Sequence, residues 1–363
     1  MDKKLLDLYA DYLLSSFRAT TATGLSTLLE GAVSHDQISR LLSGEKGNSA
    51  DLWRLVKPLA RKVEAPSGVL IIDDSIEEKP YTDPSDLICS HWDHSKSQYV
   101  RGINFLTVLY QVPNEGKEWS LPVAFDLVTK TETVIDKKTG KEKKKSATTK
   151  NERYRDLLRA CVKNGIAFTY VLNDVWYASV ENMRCVKREL KKEFIMPLKS
   201  NRKVALSEAD QAQGRYVTVD TLGGEEKTVR EIYLEGVDFP LAFLRQVFTN
   251  EDGSGGILYL VASDTRLSFE QITTIYHRRW KVEEYHHSLK QNASLAKSPT
   301  KTSTTQTNHF FASLYAYVKL ETLKHTTSLN HFALKTKLYV SALQSAFQEL
   351  QRLQSARSFL TAA

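Results

Sequence analysis

Cysteine is scarce: the 363 residues hold three, and Cys89, Cys161 and Cys185 lie too far apart to make a CxxC pair. A zinc ribbon and a disulfide framework are therefore not expected. Long apolar runs are missing as well. No stretch approaches the roughly 18 consecutive apolar residues that a membrane-spanning helix needs. The opening segment MDKKLLDLYADYLLSSFRATTATG mixes acids into a helical pattern and lacks the apolar centre of a signal peptide. A cytoplasmic protein is the expectation. There is no Gly-rich phosphate loop, no GxSxG elbow, no HExxH pair and no internal repeat. His91 and His94, in HWDHSK, have no further ligands at zinc spacing and read as part of a polar loop.

The formal net charge is +7, which is moderate, so its distribution says more than its size. From His286 to Ala363 there are nine Lys or Arg against two acids, Glu321 and Glu349. From Lys130 to Lys150 there are eight lysines against Glu132, Asp136 and Glu142. Either run alone is as well explained by solvated surface. Together they form two concentrated basic regions that could follow a phosphate backbone.

Residues 1–66 read as helical. Within them STLLEGAVSHDQISRLLSG suggests two short helices, with Gly31 ending the first and Ser34 capping the second through Gln37. That spacing suits a DNA-binding helix-turn-helix and equally a small helical bundle. GVLIIDDS is a wholly apolar run ending in two acids and predicts a buried strand. YVRGINFLTVLYQV and WSLPVAFDLV predict further strands around a turn at Pro113, Asn114 and Gly116. The lysine-rich stretch that follows predicts a hairpin with Lys138-Thr139-Gly140-Lys141 at its tip. NERYRDLLRACVKNG is an amphipathic helix stopped by Gly165, IAFTYVLND a second buried strand ending in an acid, and VWYASVENMRCVKREL a helix. Alternation of this kind predicts an α/β core over 67–200. Residues 201–262 turn β-like between Gly-rich turns and read as a β-rich insertion. The core resumes over 263–310, and 311–363 is helical.

The richest segment is IYHRRWKVEEYHHSLKQ. At about 100° per residue, Tyr276, Arg279, Glu283 and Lys290 share an arc of roughly 60° on one predicted helix starting near Ser268. Ile275, Val282 and Leu289 form an apolar stripe beside them. One face would pack on a sheet while its neighbour presents an acid among cations and a ring. A solvated charged face is the plainer explanation for an arbitrary helix, but here the order and spacing are specific.

Tyr-x2-Arg-x3-Glu-x6-Lys is the YREK motif of DDE transposases from a large group of bacterial insertion sequences, and the chain resembles that family over roughly residues 67–310. The resemblance implies a ribonuclease-H-like mixed sheet, flanked by helical N- and C-terminal regions. It makes Asp74, Asp174 and Glu283 the catalytic acids and metal ligands. Asp74 is preferred to Asp73 by resemblance, since the first acid of the family ends the first core strand and is followed by Thr or Ser. Two Mg²⁺ ions are implied, with Mn²⁺ able to substitute, Asp74 bridging both and the other acids holding one each. Tyr276, Arg279 and Lys290 would contact phosphates of the transposon end. Trp176 would stack on a displaced base or lie in the core. Arg278, Lys281, His286 and His287 either line the DNA path or face solvent.

The expected partners are double-stranded DNA, both terminal repeats and target, and a second copy of the chain, giving a homodimer on DNA in the bacterial nucleoid with no membrane involved. The expected reaction is metal-dependent cleavage at transposon ends, then attack of the freed 3′-hydroxyls on target DNA. The rivals are a domesticated, non-catalytic DNA-binding protein, a nuclease that does not join, and a paired-carboxylate glycoside hydrolase. The basic charge beside Glu283 suits a polyanion better than a neutral sugar.

Overall fold

The computed structural model describes residues 2–360 except 95, 136–139, 224–226, 250–252 and 254. Lys138 and Thr139, expected at a hairpin tip, thus lie outside the described residues. The chain divides into two compact units, Met1–Gly47 with His286–Ala363, and Asn48–Tyr285. Its helices are α1 (Lys3–Ser15), α2 (Ala22–Leu28), α3 (His35–Ser43), α4 (Ser49–Val63), α5 (Lys150–Lys163), α6 (Val180–Arg184), α7 (Glu208–Ala212), α8 (Phe269–His277), α9 (Lys281–Gln291), α10 (Ser303–Thr327) and α11 (His331–Leu360). Its strands are β1 (Val69–Glu78), β2 (Cys89–Asp93), β3 (Gln98–Asn114), β4 (Lys117–Leu127), β5 (Glu132–Ile135), β6 (Glu142–Lys145), β7 (Tyr170–Asn173), β8 (Glu193–Leu198), β9 (Lys203–Ala205), β10 (Val217–Thr218), β11 (Val229–Leu234), β12 (Leu241–Thr249) and β13 (Gly255–Ala262).

The sheet unit is organised around β1. Val69, Leu70, Ile71 and Ile72 have no exposure at all, as an apolar strand covered on both faces must. β1 pairs antiparallel with β3 and parallel with β7. β4 lies beyond β3, antiparallel to it, and β8 beyond β7, parallel to it. This central order, β4-β3-β1-β7-β8, is the ribonuclease-H-like core expected from the sequence. The β-rich stretch does not form a separate layer. β13 pairs with β8, and β12, β11, β9 and β10 extend the same sheet outward. Among the described residues β5 and β6 pair antiparallel with each other, on either side of the expected lysine-rich tip.

Local chemistry fixes the helices on this sheet. α4 starts with a reciprocal capping box between Asn48 and Asp51. It buries Leu52, Trp53, Val56, Ala60 and Val63 at helical spacing against β4. α5 starts with the same device, Thr149 and Glu152, and buries Tyr154, Leu157, Leu158 and Cys161. Each large apolar side chain so buried contributes about 1.5–3 kcal/mol. At Gly102 a Cβ would sit 2.3 Å from the carbonyl oxygen of Glu77, so close pairing of β1 with β3 there requires glycine.

In the helical unit, α1, α3 and α11 pack on α10. The turn between α2 and α3 follows expectation: Gly31 has φ +80, and Ser34 with Gln37 forms the capping box. Tyr9 donates to or accepts from His309 at 2.9 Å, and the Asn308 side-chain oxygen accepts from the Gly47 amide at 2.9 Å. Among the described residues no helix is long and apolar enough to cross a membrane.

The segment carrying Tyr276 to Lys290 differs from the single helix expected. α8 and α9 are joined by a 3₁₀ turn, Arg278–Trp280. Such a turn advances about 120° per residue, so a constant 100° count does not hold through it. The tightening coincides with the descent of the Arg278 guanidinium onto Ser67 and Gln111. The apolar stripe changes too. Val282 and Leu289 are fully buried, but on α8 the buried positions are Ile272 and Tyr276 rather than Ile275.

Candidate active site

The parallel register of β1 and β7 runs to the pair Ile72–Asn173. β1 does not end at its two acids, as the sequence suggested, but runs on to Glu78 against β3; Asp73 and Asp74 lie in mid-strand, just past the point where β7 stops and Asp174 follows. Successive side chains on a strand point to opposite faces, and the two β1 acids have different surroundings. Both oxygens of Asp74 are taken: Oδ2 by the Lys150 ammonium at 2.6 Å and the Asn104 amide at 3.0 Å, Oδ1 by the Tyr177 hydroxyl at 2.5 Å. Burial works against ionisation here, but Lys150, Tyr177 and Asn104 outweigh it and hold the Asp74 carboxyl below the usual carboxylate range. At Asp73 the balance is reversed. Burial first, then the charges of Asp74, Asp174 and Glu283, push it well above that range. The Asp73 Oδ1 accepts the backbone amide of Asp74 at 2.9 Å.

Asp174 is positioned by the turn that follows it. The stretch Val175–Tyr177 begins as a 3₁₀ turn rather than the α-helix expected, because Asp174 Oδ1 caps the amides of Trp176 at 3.0 Å and Tyr177 at 3.4 Å. Burial and the charge of Asp74 raise its pKa despite those bonds and the nearby Arg279. The preceding residue, Asn173, is a buried hub. Its side-chain oxygen accepts from Tyr154 at 2.8 Å and its carbonyl from Tyr276 at 3.2 Å. The Tyr154 and Tyr177 rings stack 5.2 Å apart.

Glu283 stands on the first turn of α9, half-exposed, with Arg279 Nη1 at 3.3 Å. The Arg279 guanidinium lies 6.0 Å from the centre of the Tyr276 ring and 5.3 Å from that of Trp280. Tyr276 is buried and bonded inward, so the geometry gives it an orienting position. The Arg278 side chain runs to the carbonyls of Ser67 at 2.9 Å and Gln111 at 2.7 Å, and to the Gln111 side-chain oxygen. Lys281 bonds Glu284 at 3.1 Å and lies 3.9 Å from Glu118. Lys290 lies on the same helix as Glu283, two turns on, half-buried. Of the two neighbouring histidines, His286 is buried and His287 stacks on Phe332 with 5.0 Å between ring centres. Trp176 is 48% exposed, so it is surface rather than core. His91 and His94 do not converge: His91 is buried 3.2 Å from the Cys89 sulfur, and His94 packs on Trp176 outside.

The donor set suits a hard divalent cation. It is all oxygen, the acids repel one another, and the Asn104 Oδ1 is buried without a hydrogen-bond partner beside Asp74. Among the described residues no three His, Cys, Asp or Glu side chains already converge on one metal position. Around Asp74 the positive charge is supplied instead by Lys150. Four of these residues, Lys150, Tyr177, Asn104 and Asn173, escaped the sequence reading. Asn104 left a faint trace, as a lone amide inside the apolar run of β3.

Residues 1–217 match a family model described as DDE superfamily endonuclease, and residues 127–319 one described as Transposase DDE domain. The first spans Asp74 and Asp174, the second Asp174 and Glu283. No curated protein gives a significant match to the chain.

Proposed function

Since the chain belongs to the DDE superfamily of endonucleases and transposases, we propose that it is the transposase of a bacterial insertion sequence of the YREK group. It would cut double-stranded DNA at the element's terminal repeats and join the freed 3′-hydroxyls to target DNA, acting as a homodimer that holds both ends. The observation carrying this reading is the parallel register that sets Asp74, in the middle of β1, beside the end of β7, where Asp174 follows, with the charge of Asp74 acting on Asp174 and that of Glu283 on the neighbouring Asp73.

Asp74, Asp174 and Glu283 would hold two Mg²⁺ ions, or Mn²⁺ in their place. When bound, the ions supply polarisation of the scissile phosphate, activation of the attacking oxygen and charge for the leaving oxygen. The chain's own residues do the rest. Asp174 is kept in place by the amides of Trp176 and Tyr177. Tyr276 fixes Asn173 and through it the strand end. Arg279 orients Glu283 and with Lys281 and Lys290 offers charge to phosphates. Arg278 anchors the 3₁₀ turn to β3. α3 is the candidate for groove recognition in the N-terminal helices.

The test is cleavage of a labelled duplex carrying the native element's ends, in Mg²⁺ or EDTA, by the wild-type protein and Asp174→Asn. Asparagine keeps an oxygen for the two capping amides, so the turn persists. Cutting that needs both metal and Asp174, followed by joined product in a strand-transfer assay, is the expected result. Cleavage by the variant at the wild-type rate would overturn the catalytic assignment, and cutting without joining would leave a nuclease.

A further inference from the structure

Outside the acids, the edge of the sheet carries a continuous set of exposed rings. Trp92 on β2 stands directly opposite Tyr99 on β3, with ring centres 5.1 Å apart. His94 follows at 6.4 Å from Trp92, and Trp176 at 4.9 Å from His94. Trp92 is 43%, Tyr99 61% and Trp176 48% exposed. Large rings are costly to leave in water, and among the described residues these three stay about half exposed. Trp176 is two residues from Asp174, so the row begins at the proposed active site. At its far end Tyr99 lines a cleft of about 790 Å³. Five cations border that cleft, Arg101, Lys130, Lys141, Lys143 and Lys144, against Asp86 and Glu142. Lys144 offsets Asp86 at 3.7 Å, and the cations still outnumber the acids. At the other end the Lys199 ammonium lies 5.7 Å from the centre of the Trp176 ring.

Exposed rings in a row, flanked by cations, are the two parts of a single-strand nucleic-acid site: bases stack on the rings while phosphates meet the lysines. A duplex keeps its bases stacked inside and could use only the cations. We propose that this β2–β3 face and the β5–β6 cleft bind unpaired DNA, taking the nucleotides that separate next to the cleaved position and leading them away from the acids. The inference rests on the transposase reading, in which a DNA strand is cut beside Asp174, two residues from Trp176. Its test is separable, because binding needs neither metal nor cutting.

The experiment is fluorescence anisotropy of the full chain in EDTA, titrated against a labelled oligothymidine of about 12 nucleotides and, separately, against an end-bearing duplex. The variants are Trp92→Ala with Tyr99→Ala, and Lys143→Glu with Lys144→Glu. Each stacked base is worth about 1–3 kcal/mol, so removing two rings should weaken oligothymidine binding at least 10-fold and leave duplex affinity within about twofold. Exposed rings can be removed without unfolding the sheet. The lysine pair provides an independent check, expected to lower both affinity and the steepness of the salt dependence for oligothymidine. Unchanged oligothymidine binding in the ring variant would overturn the inference. So would equal losses for oligothymidine and duplex, which would make the face a general phosphate surface. An oligothymidine that never binds while duplex ends are still cut would remove this site and leave the transposase reading standing.

Discussion

Replacing Lys150 with methionine removes the ammonium that sits 2.6 Å from Asp74 Oδ2 and keeps most of the stem. The Lys150 side chain is 30% and that of Asp74 18% exposed, so solvent screens the pair only in part. A hydrogen bond to a charged group contributes about 1.5–3 kcal/mol, and partial exposure points to the lower half, about 2 kcal/mol. In EDTA the variant should therefore melt about 4–8 °C below wild type, at roughly 2–4 °C per kcal/mol for a unit of this size. If Asp74 is a metal ligand, the ammonium occupies the place of a cation, and a divalent ion competes with it in the wild type alone. The variant should then bind Mg²⁺ or Mn²⁺ about tenfold more tightly, which is about 1.4 kcal/mol. Saturating metal would return most of the lost stability. Thermal melts in EDTA and in a Mn²⁺ series read both quantities without any DNA. A gap between the two proteins that stays the same with and without metal would refute the reasoning, because Lys150 would then be a plain structural partner.

Two further outcomes follow from the same geometry and from the helical unit. Asparagine resembles the neutral acid that burial and its neighbours favour at Asp73 and still accepts the Asp74 amide, so Asp73→Asn should cut within about tenfold of wild type. Asp74→Asn should lose about 10³-fold, or about 4 kcal/mol. The reverse order in the cleavage assay would make Asp73 the ligand. In α10, Glu321 is 1% exposed, with Lys324 at 2.6 Å and His331 at 3.0 Å. Burial opposes its charge, but those partners win and lower its pKa below the ordinary 4.5. A lowered pKa stabilises fully above 4.5 and ceases to do so as pH falls below that value. Glu321→Gln should therefore cost about 2–3 kcal/mol at neutral pH and progressively less in acid. Urea unfolding at the two pH values checks this, and a gap that does not shrink in acid would sink it.

What the sequence made legible was whatever a local pattern encodes. Apolar runs of four or five residues gave β1 and β7, and alternation with amphipathic helices gave the mixed core. Capping boxes at Ser34 and Ser268 marked helix starts, and the resemblance supplied the three acids proposed as metal ligands. The 3₁₀ turn at Arg278–Trp280 was not legible, because the contacts of Arg278 come from Ser67 and Gln111, more than 160 positions away. Nor was the joining of the chain's two ends in one helical unit, where the Tyr9–His309 bond spans 300 positions.

The surroundings of the acids fall between these extremes. Adjacent positions Asp73-Asp74 on a strand say that the two carboxyls face opposite ways, but not which face holds which neighbour. That depends on the β1–β7 register, on where α5 begins, and on the turn that Asp174 itself caps. Lys150 is the clearest case. In the sequence it closes a run of lysines and reads as one more solvated cation, yet the Thr149 cap starts α5 at that residue and brings its ammonium onto Asp74. A charge run is thus not uniform along its length. Lys141, Lys143 and Lys144 border an open cleft, while the one at the helix start is drawn into the acids. Composition predicts the field of the first group and says nothing of the second, whose effect is on a single carboxylate.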